Sequence, residues 1–333
     1  THVAERLMLS LAAPFTLDRH EVFTSASVGI ALSSTEYGDA EELLRNADAA
    51  LSRAKALGKA RYEVFDRAMH AQALARLRME MDLRRAVERG EFEVFYQPVV
   101  HLATGRITGF EALLRWMHPE RGVVGPNEFI PVAEETGLIL PLGRWVIDEV
   151  CRHAAGWSDR GAGRPMSVGV NLSVKQFTQA DLVEHIERAL AECGMPPSFL
   201  KLEITESVIL EDSEAAKRML GRLRDLGIQL FMDDFGTGYS SLGYLHRFPL
   251  DALKIDRTFI SGMVEEPRNG KLVQAILALA RNLGVQVVAE GIDSTAQLAA
   301  LRELGCDYGQ GYLFSEPVSR AQANALLVRD PVW

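Results

Sequence analysis

The 333 residues predict an α/β chain: a TIM-like (β/α)₈ barrel with its first strand antiparallel, preceded by a small partial α/β segment and a connecting helix. Three observations predict it. From Phe92 onward, strand-like and helix-like runs alternate. Eight such strands with intervening helices fall within about 240 residues, which is the arithmetic of this barrel. Acidic and amide residues recur at the carboxyl ends of those strands, the rim on which such barrels collect function.

Residues 1–66 form the partial segment. Val22 to Leu32 is rich in strand formers. Ala40 to Leu57 is an amphipathic helix with apolar positions Leu43, Leu44, Ala47 and Leu51, ended by Gly58. Tyr62 to Phe65 is a short strand. Residues 67–90 are the connecting helix, with helical spacing at Met69, Leu74, Leu77 and Met81. The barrel takes residues 78–333, overlapping the end of that helix. Its strands are expected near Phe92–Tyr96, Thr108–Leu113, Met166–Asn171, Leu200–Thr205, Gln229–Asp233, Ala252–Asp256, Val285–Glu290 and Asp307–Gly311. The helices are expected mainly at 127–136, 142–157, 178–193, 212–226, 270–283, 294–304 and 319–328. Only Gln97 to Ile107 separates the first two strands, with the turn Ala103-Thr104-Gly105-Arg106 inside it. A parallel crossover needs about a dozen residues or more, so these strands should form an antiparallel hairpin.

Bulk properties exclude several classes. A net charge of -9 argues against binding to a nucleic acid polymer or a phospholipid surface, which favours a basic patch. Cys151, Cys193 and Cys306 are odd in number and widely spaced, which suits free thiols in a reducing compartment. No apolar run approaches the roughly 20 residues that span a bilayer. The expected location is cytoplasmic. Because the chain starts at Thr1, it is expected to be part of a longer protein, whose missing N-terminal region could carry a membrane anchor or sensor.

Asp233 and Asp234 stand where the apolar run Ile228 to Met232 breaks into Phe235-Gly236-Thr237-Gly238. Adjacent carboxylates there call for a divalent cation between them, or else are an acidic surface turn. The other strand ends carry Glu111, Asn171, Glu203, Lys254 and Glu290, each after apolar residues. Together they offer five carboxylates, one amide and one lysine on one rim. Oxygen ligands select hard cations, so Mg²⁺ or Mn²⁺ fits better than zinc. Strand parity places Lys254 and Asp256 on one face, toward the mouth. Parity separates Glu206 from Glu203, which makes Glu206 a support for a neighbouring loop. Parity also separates Asp233 from Asp234, and both reach the site only if the chain bends right after Met232. His118 reads as a plain loop histidine, and Glu134-Glu135 as the wet face of a helix.

The run Glu111-Ala112-Leu113-Leu114-Arg115-Trp116 resembles the signature of the EAL family of cyclic di-GMP phosphodiesterases. The resemblance continues through Tyr96-Gln97-Pro98, Asn171-Leu172-Ser173, Leu202-Glu203-Ile204-Thr205-Glu206, Met232 to Ser241, Leu253-Lys254-Ile255-Asp256, Ala289-Glu290-Gly291 and Gly309-Gln310-Gly311-Tyr312. It implies that Glu111, Asn171, Glu203 and Asp233 hold a first Mg²⁺ or Mn²⁺, and that Asp233 and Asp234 serve a second. It implies that Lys254 and Glu290 position or activate the attacking water with help from Gln310, that Arg115 and Gln97 contact substrate, and that Glu206 anchors the loop beginning at Asp233. A homodimer through the barrel is also implied. Asp293 departs from the family pattern, which commonly has Glu there, and Glu316 stands where a basic residue is common. Residues 1–66 resemble the tail of a GGDEF (diguanylate cyclase) domain, through Ser27 to Ala31, Ala47 to Ala50, Ala54-Lys55 and Gly58-Lys59. The signature loop of that domain is absent, so no cyclase activity is expected, and an upstream GGDEF or sensory domain is the implied partner.

The resemblance implies metal-dependent hydrolysis of cyclic di-GMP to linear pGpG. The alternative is a binding module that senses cyclic di-GMP without cleaving it. An unrelated metal-dependent barrel would rest on fold alone and leaves the motif series unexplained.

Overall fold

The computed structural model describes residues 2–12, 15–17, 20–22, 24–32, 40–161, 163–206, 208, 213–236 and 248–333. They fall into two units, Thr1–Asp82 and Leu83–Trp333. The boundary lies within one helix, Arg67–Arg89, close to the helix expected from its spacing.

In the first unit, the stretch expected as a single strand is divided. His20–Val22 pairs antiparallel with Phe15–Leu17, and Val28–Ile30 pairs parallel with Tyr62–Val64. Ser25, Ala26 and Ser27 bring no large apolar side chain, so little rewards pairing between them. Helix Ala40–Ala56 buries Asn46, Ala50 and Ala54. Leu44, expected on its apolar face, is exposed. The strand approaches so closely that a Cβ on Gly29 would lie 2.0 Å from the Ala47 carbonyl oxygen. Only a face of small residues allows that approach.

The second unit is the barrel. Its strands are β1 (Phe92–His101), β2 (Arg106–His118), β3 (Ser167–Leu172), β4 (Leu200–Thr205), β5 (Gln229–Phe235), β6 (Ala252–Ile255), β7 (Gln286–Ala289) and β8 (Tyr308–Gly309). β1 is antiparallel to β2, from Phe92 opposite Trp116 to His101 opposite Arg106, and antiparallel to β8. The other neighbours pair parallel, and the ring closes. The short link between β1 and β2 turns on Gly105, whose φ of 67° suits a residue without a Cβ.

β2 runs further than expected because Trp116, Met117 and His118 pair back onto an outer strand, Gly122–Val124. His118 therefore ends a strand, and its Nδ1 accepts from the backbone N–H groups of Glu120 and Arg121. Two short helices also went unread, Val174–Phe177 and Arg257–Ser261. Capping boxes start the helices after β3, β7 and β8: Ser173 with Gln176, Ser294 with Gln297, and Ser319 with Gln322.

The main core lies between the barrel and its helices, where Tyr96 packs edge to face with Phe110 and Trp157, and Phe110 lies tilted against Trp157, with ring centroids 4.9 to 6.4 Å apart. A smaller cluster plugs the inside of the barrel: Val99, Phe231, Ala252 and Val288, with Tyr308 against it. No helix among the described residues is long and apolar enough to cross a membrane.

Candidate active site

Above that plug, at the carboxyl ends of the parallel strands, β2 presents Glu111, β3 Asn171, β4 Glu203, β5 Asp233 and β6 Lys254, with Glu290 just beyond β7 and Gln310 just beyond β8. Alternation along each strand aims these side chains inward while their neighbours pack outward against the helices. Lys254 is the centre. Its Nζ lies 2.5 Å from Glu203 Oε2, 2.6 Å from Glu290 Oε1, 3.2 Å from Asp233 Oδ1 and 3.4 Å from Glu111 Oε2. Asn171 Nδ2 donates to Glu111 Oε1 at 2.7 Å. Gln310 Nε2 donates to Glu111 Oε2 at 2.7 Å and to Gln97 Oε1 at 2.8 Å. Gln97 in turn donates from Nε2 to the Ser315 carbonyl.

The electrostatics are lopsided. Burial alone would lower the Lys254 ammonium, but Glu111, Glu203, Glu290 and Asp233 overrule it and push its pKa well above the ordinary value. Burial holds the Glu203 carboxyl well above the usual range, helped by Glu111 and Asp233 and opposed by Lys254. Burial likewise pushes Glu290 up to about 7.

Asp234 takes φ of 53°, the left-handed region, and the register between β5 and β6 shifts between Met232 and Phe235. This is the bend after Met232 that parity required. The Asp234 carboxyl is raised by partial burial and by the charges of Asp233 and Asp256. Asp256, just beyond β6, caps helix Arg257–Ser261 by accepting from the Thr258 N–H at 2.9 Å while its charge acts on Asp234. Arg115 is half-buried on β2, with its Cζ 5.9 Å from the Phe95 ring centroid. Burial lowers its pKa, against the pull of Tyr312 and Glu111. Glu206 follows the end of β4, but residues 237–247 of the loop it was expected to anchor lie outside the described residues.

Among the described residues, no three acidic or imidazole groups stand in a ready metal-ligating arrangement. The ammonium of Lys254 occupies the point on which the carboxylates converge. The chemistry of the donor set nonetheless fits a hard cation. Glu111, Glu203, Asp233, Asp234 and Glu290 set five carboxylates against one ammonium. Asp233 Oδ1, though within ion-pair distance of Lys254, is buried and accepts no hydrogen bond among the described residues.

One interior residue escaped the sequence reading. Lys201 lies two residues before Glu203 on β4, in a run read as apolar, so it shares the inward face. Its Nζ sits 4.7 Å from the Phe231 ring centroid and 5.7 Å from that of Tyr308. Parity with Glu203 was the available signal.

Comparison with known proteins agrees with this geometry. Residues 80–317 match the EAL domain, and residues 1–61 match the diguanylate cyclase GGDEF domain. The chain is 43% identical over 320 residues to the bifunctional diguanylate cyclase/cyclic di-GMP phosphodiesterase MucR of Pseudomonas aeruginosa, covering 96% of this chain and 47% of that protein. It is 40% identical over 316 residues to the cyclic di-GMP phosphodiesterase PdeR of Escherichia coli, covering 95% of this chain and 47% of that one. The chain thus spans about half the length of these relatives. A solved structure of the PaMucR phosphodiesterase in complex with c-di-GMP is similar, with a TM-score of 0.71 at 43% identity over 74% of this chain and 99% of that one. A closed barrel with an antiparallel first strand, an acidic mouth around one lysine and a match over most of its length together show that the chain belongs to the EAL domain family, with a GGDEF segment ahead of the barrel.

Proposed function

We propose that the chain hydrolyses one phosphodiester bond of cyclic di-GMP to linear 5′-pGpG, lowering the level of this second messenger in bacterial signalling. The observation that carries this reading is the Lys254 ammonium ringed by Glu111, Glu203, Asp233 and Glu290 at the carboxyl end of the barrel. Its relatives are named for the same reaction.

Glu111, Asn171, Glu203 and Asp233 would hold a first Mg²⁺ or Mn²⁺, and Asp233 with Asp234 a second. Bound there, the ions supply Lewis-acid stabilisation of the phosphoryl oxygens. The chain's own residues do the rest. Glu290, whose carboxylate lies 2.6 Å from Lys254, takes a proton from the attacking water as the water oxygen bonds to phosphorus. Lys254, held cationic by its carboxylates, orients that water and offsets developing charge; it does not act as a base. The bond from phosphorus to the 3′-oxygen breaks, the leaving oxygen gains a proton, and the 5′-phosphate stays on the product. Gln310 and Gln97 brace Glu111. Arg115, on the rim, holds a phosphate or a guanine edge.

A homodimer through the barrel and an upstream GGDEF or sensory domain are the expected regulatory partners. Incubation with cyclic di-GMP and Mg²⁺ or Mn²⁺, followed by chromatography of the product, tests the reading. Tight binding without pGpG would instead make the chain a receptor.

A further inference from the structure

Beneath the acidic mouth, the barrel interior contains a cavity of about 10 Å³ whose lining includes Ser167, Lys201, Glu203, Phe231, Lys254 and Gln310. That is room for about one water molecule. One lining side chain, Gln310, has a buried acceptor with no hydrogen-bond partner among the described residues. Gln310 is 5% exposed, and both amide hydrogens are spent, on Glu111 Oε2 and Gln97 Oε1. Its Oε1 is buried and accepts no hydrogen bond among the described residues. Flipping the amide gives no relief, because Oε1 would then face the Glu111 carboxylate.

Lys201 supplies the complementary need from below. Its Nζ lies over the Phe231 ring, and Phe231 also lines the cavity. It makes no hydrogen bond or ion pair with the described residues, and the Tyr308 ring flanks it on another side, so its three N–H donors are open to water. Ring faces attract a cation but do not replace its hydrogen bonds. Donor and acceptor border the same small space.

We propose that one ordered water occupies this cavity, accepting from Lys201 Nζ and donating to Gln310 Oε1, and that Lys201 is thereby a positioning residue for the site above it. The water fixes the amide of Gln310 in the orientation that aims Nε2 at Glu111. Lys201 touches no reacting atom; it acts through Gln310. The catalytic half of this inference rests on the proposed phosphodiesterase reading, but the water itself does not.

The test is a crystal structure of the whole chain, with Lys201→Met as the variant that keeps the apolar stem and removes the donor. The wild type should show density within hydrogen-bond distance of both Lys201 Nζ and Gln310 Oε1, and K201M should lose it. In turnover of cyclic di-GMP, K201M should lower kcat about tenfold, as outer-shell substitutions do, with KM within about twofold. A role in folding alone would move the melting temperature and leave kcat per folded molecule unchanged. The proposal is overturned by a well-ordered wild-type site without that water, or by a folded K201M with unchanged kcat. If K201M does not fold, the wild-type density decides. Because that density is seen whether or not the chain cleaves cyclic di-GMP, failure here is distinguishable from failure of the phosphodiesterase reading.

Discussion

Lys254 Nζ donates to Glu203 Oε2 at 2.5 Å in the buried centre of the barrel mouth. Each group is costly to bury alone, and each makes the other tolerable. Removing one partner of a buried pair costs about 3–5 kcal/mol, because the other charge is left uncompensated. Lys254→Met should therefore lower metal-free stability by that order at neutral pH, measured by urea denaturation. Mg²⁺ or Mn²⁺ should restore more stability to K254M than it adds to the wild type. A variant as stable as the wild type in metal-free buffer would contradict this.

Glu290 makes stability depend on pH. Its carboxyl is raised to about 7, first by burial and against the attraction of Lys254. In the unfolded chain a glutamate titrates near about 4.3. The unfolded state therefore releases this proton at lower pH than the folded state does. The contribution of Glu290 to stability falls as pH rises from about 4.3 to about 7, by at most about 4 kcal/mol, and is flat above. Glu290→Gln should match the wild type near pH 4 and exceed it near pH 8 in metal-free buffer. Denaturation midpoints at the two pH values check this; a variant less stable than the wild type at pH 8 would count against it.

Gly169 leaves the space that Glu203 fills. A Cβ at residue 169 would lie 2.0 Å from Glu203 Oε1. Gly169→Ala should push that carboxylate off its contact with Lys254, costing about 1–3 kcal/mol of stability through overpacking. Activity should fall further than stability, by at least about tenfold, because Glu203 is lost from the ligand set. Comparing kcat with the folded fraction separates the two effects.

The barrel and its rim were legible because periodicity and strand-end chemistry are local signals. β4 matches its expected span, Leu200–Thr205, since alternation is clean and Pro196 and Pro197 mark its start. The hairpin of β1 and β2 followed from loop length alone. What was hidden depends on contacts distant in sequence. The extension of β2 through His118 exists because Gly122–Val124 folds back onto it. Asp256 stands just beyond β6, where it accepts from the backbone of Thr258. The central place of Lys254 among four carboxylates is a property of barrel closure, which no single strand encodes. The bend at Asp234 was legible as a requirement, and its φ of 53° meets it.

The proposed function requires that this acidic mouth cleave its ligand. The most direct measurement is turnover of cyclic di-GMP by this chain with Mg²⁺ or Mn²⁺, set beside Glu111→Ala, with the product resolved by chromatography. Linear pGpG is expected from the wild type only when a divalent cation is present, and none from E111A with its circular dichroism spectrum unchanged. Wild-type chain that binds cyclic di-GMP tightly and releases no pGpG, or E111A turning over at the wild-type rate, would contradict it.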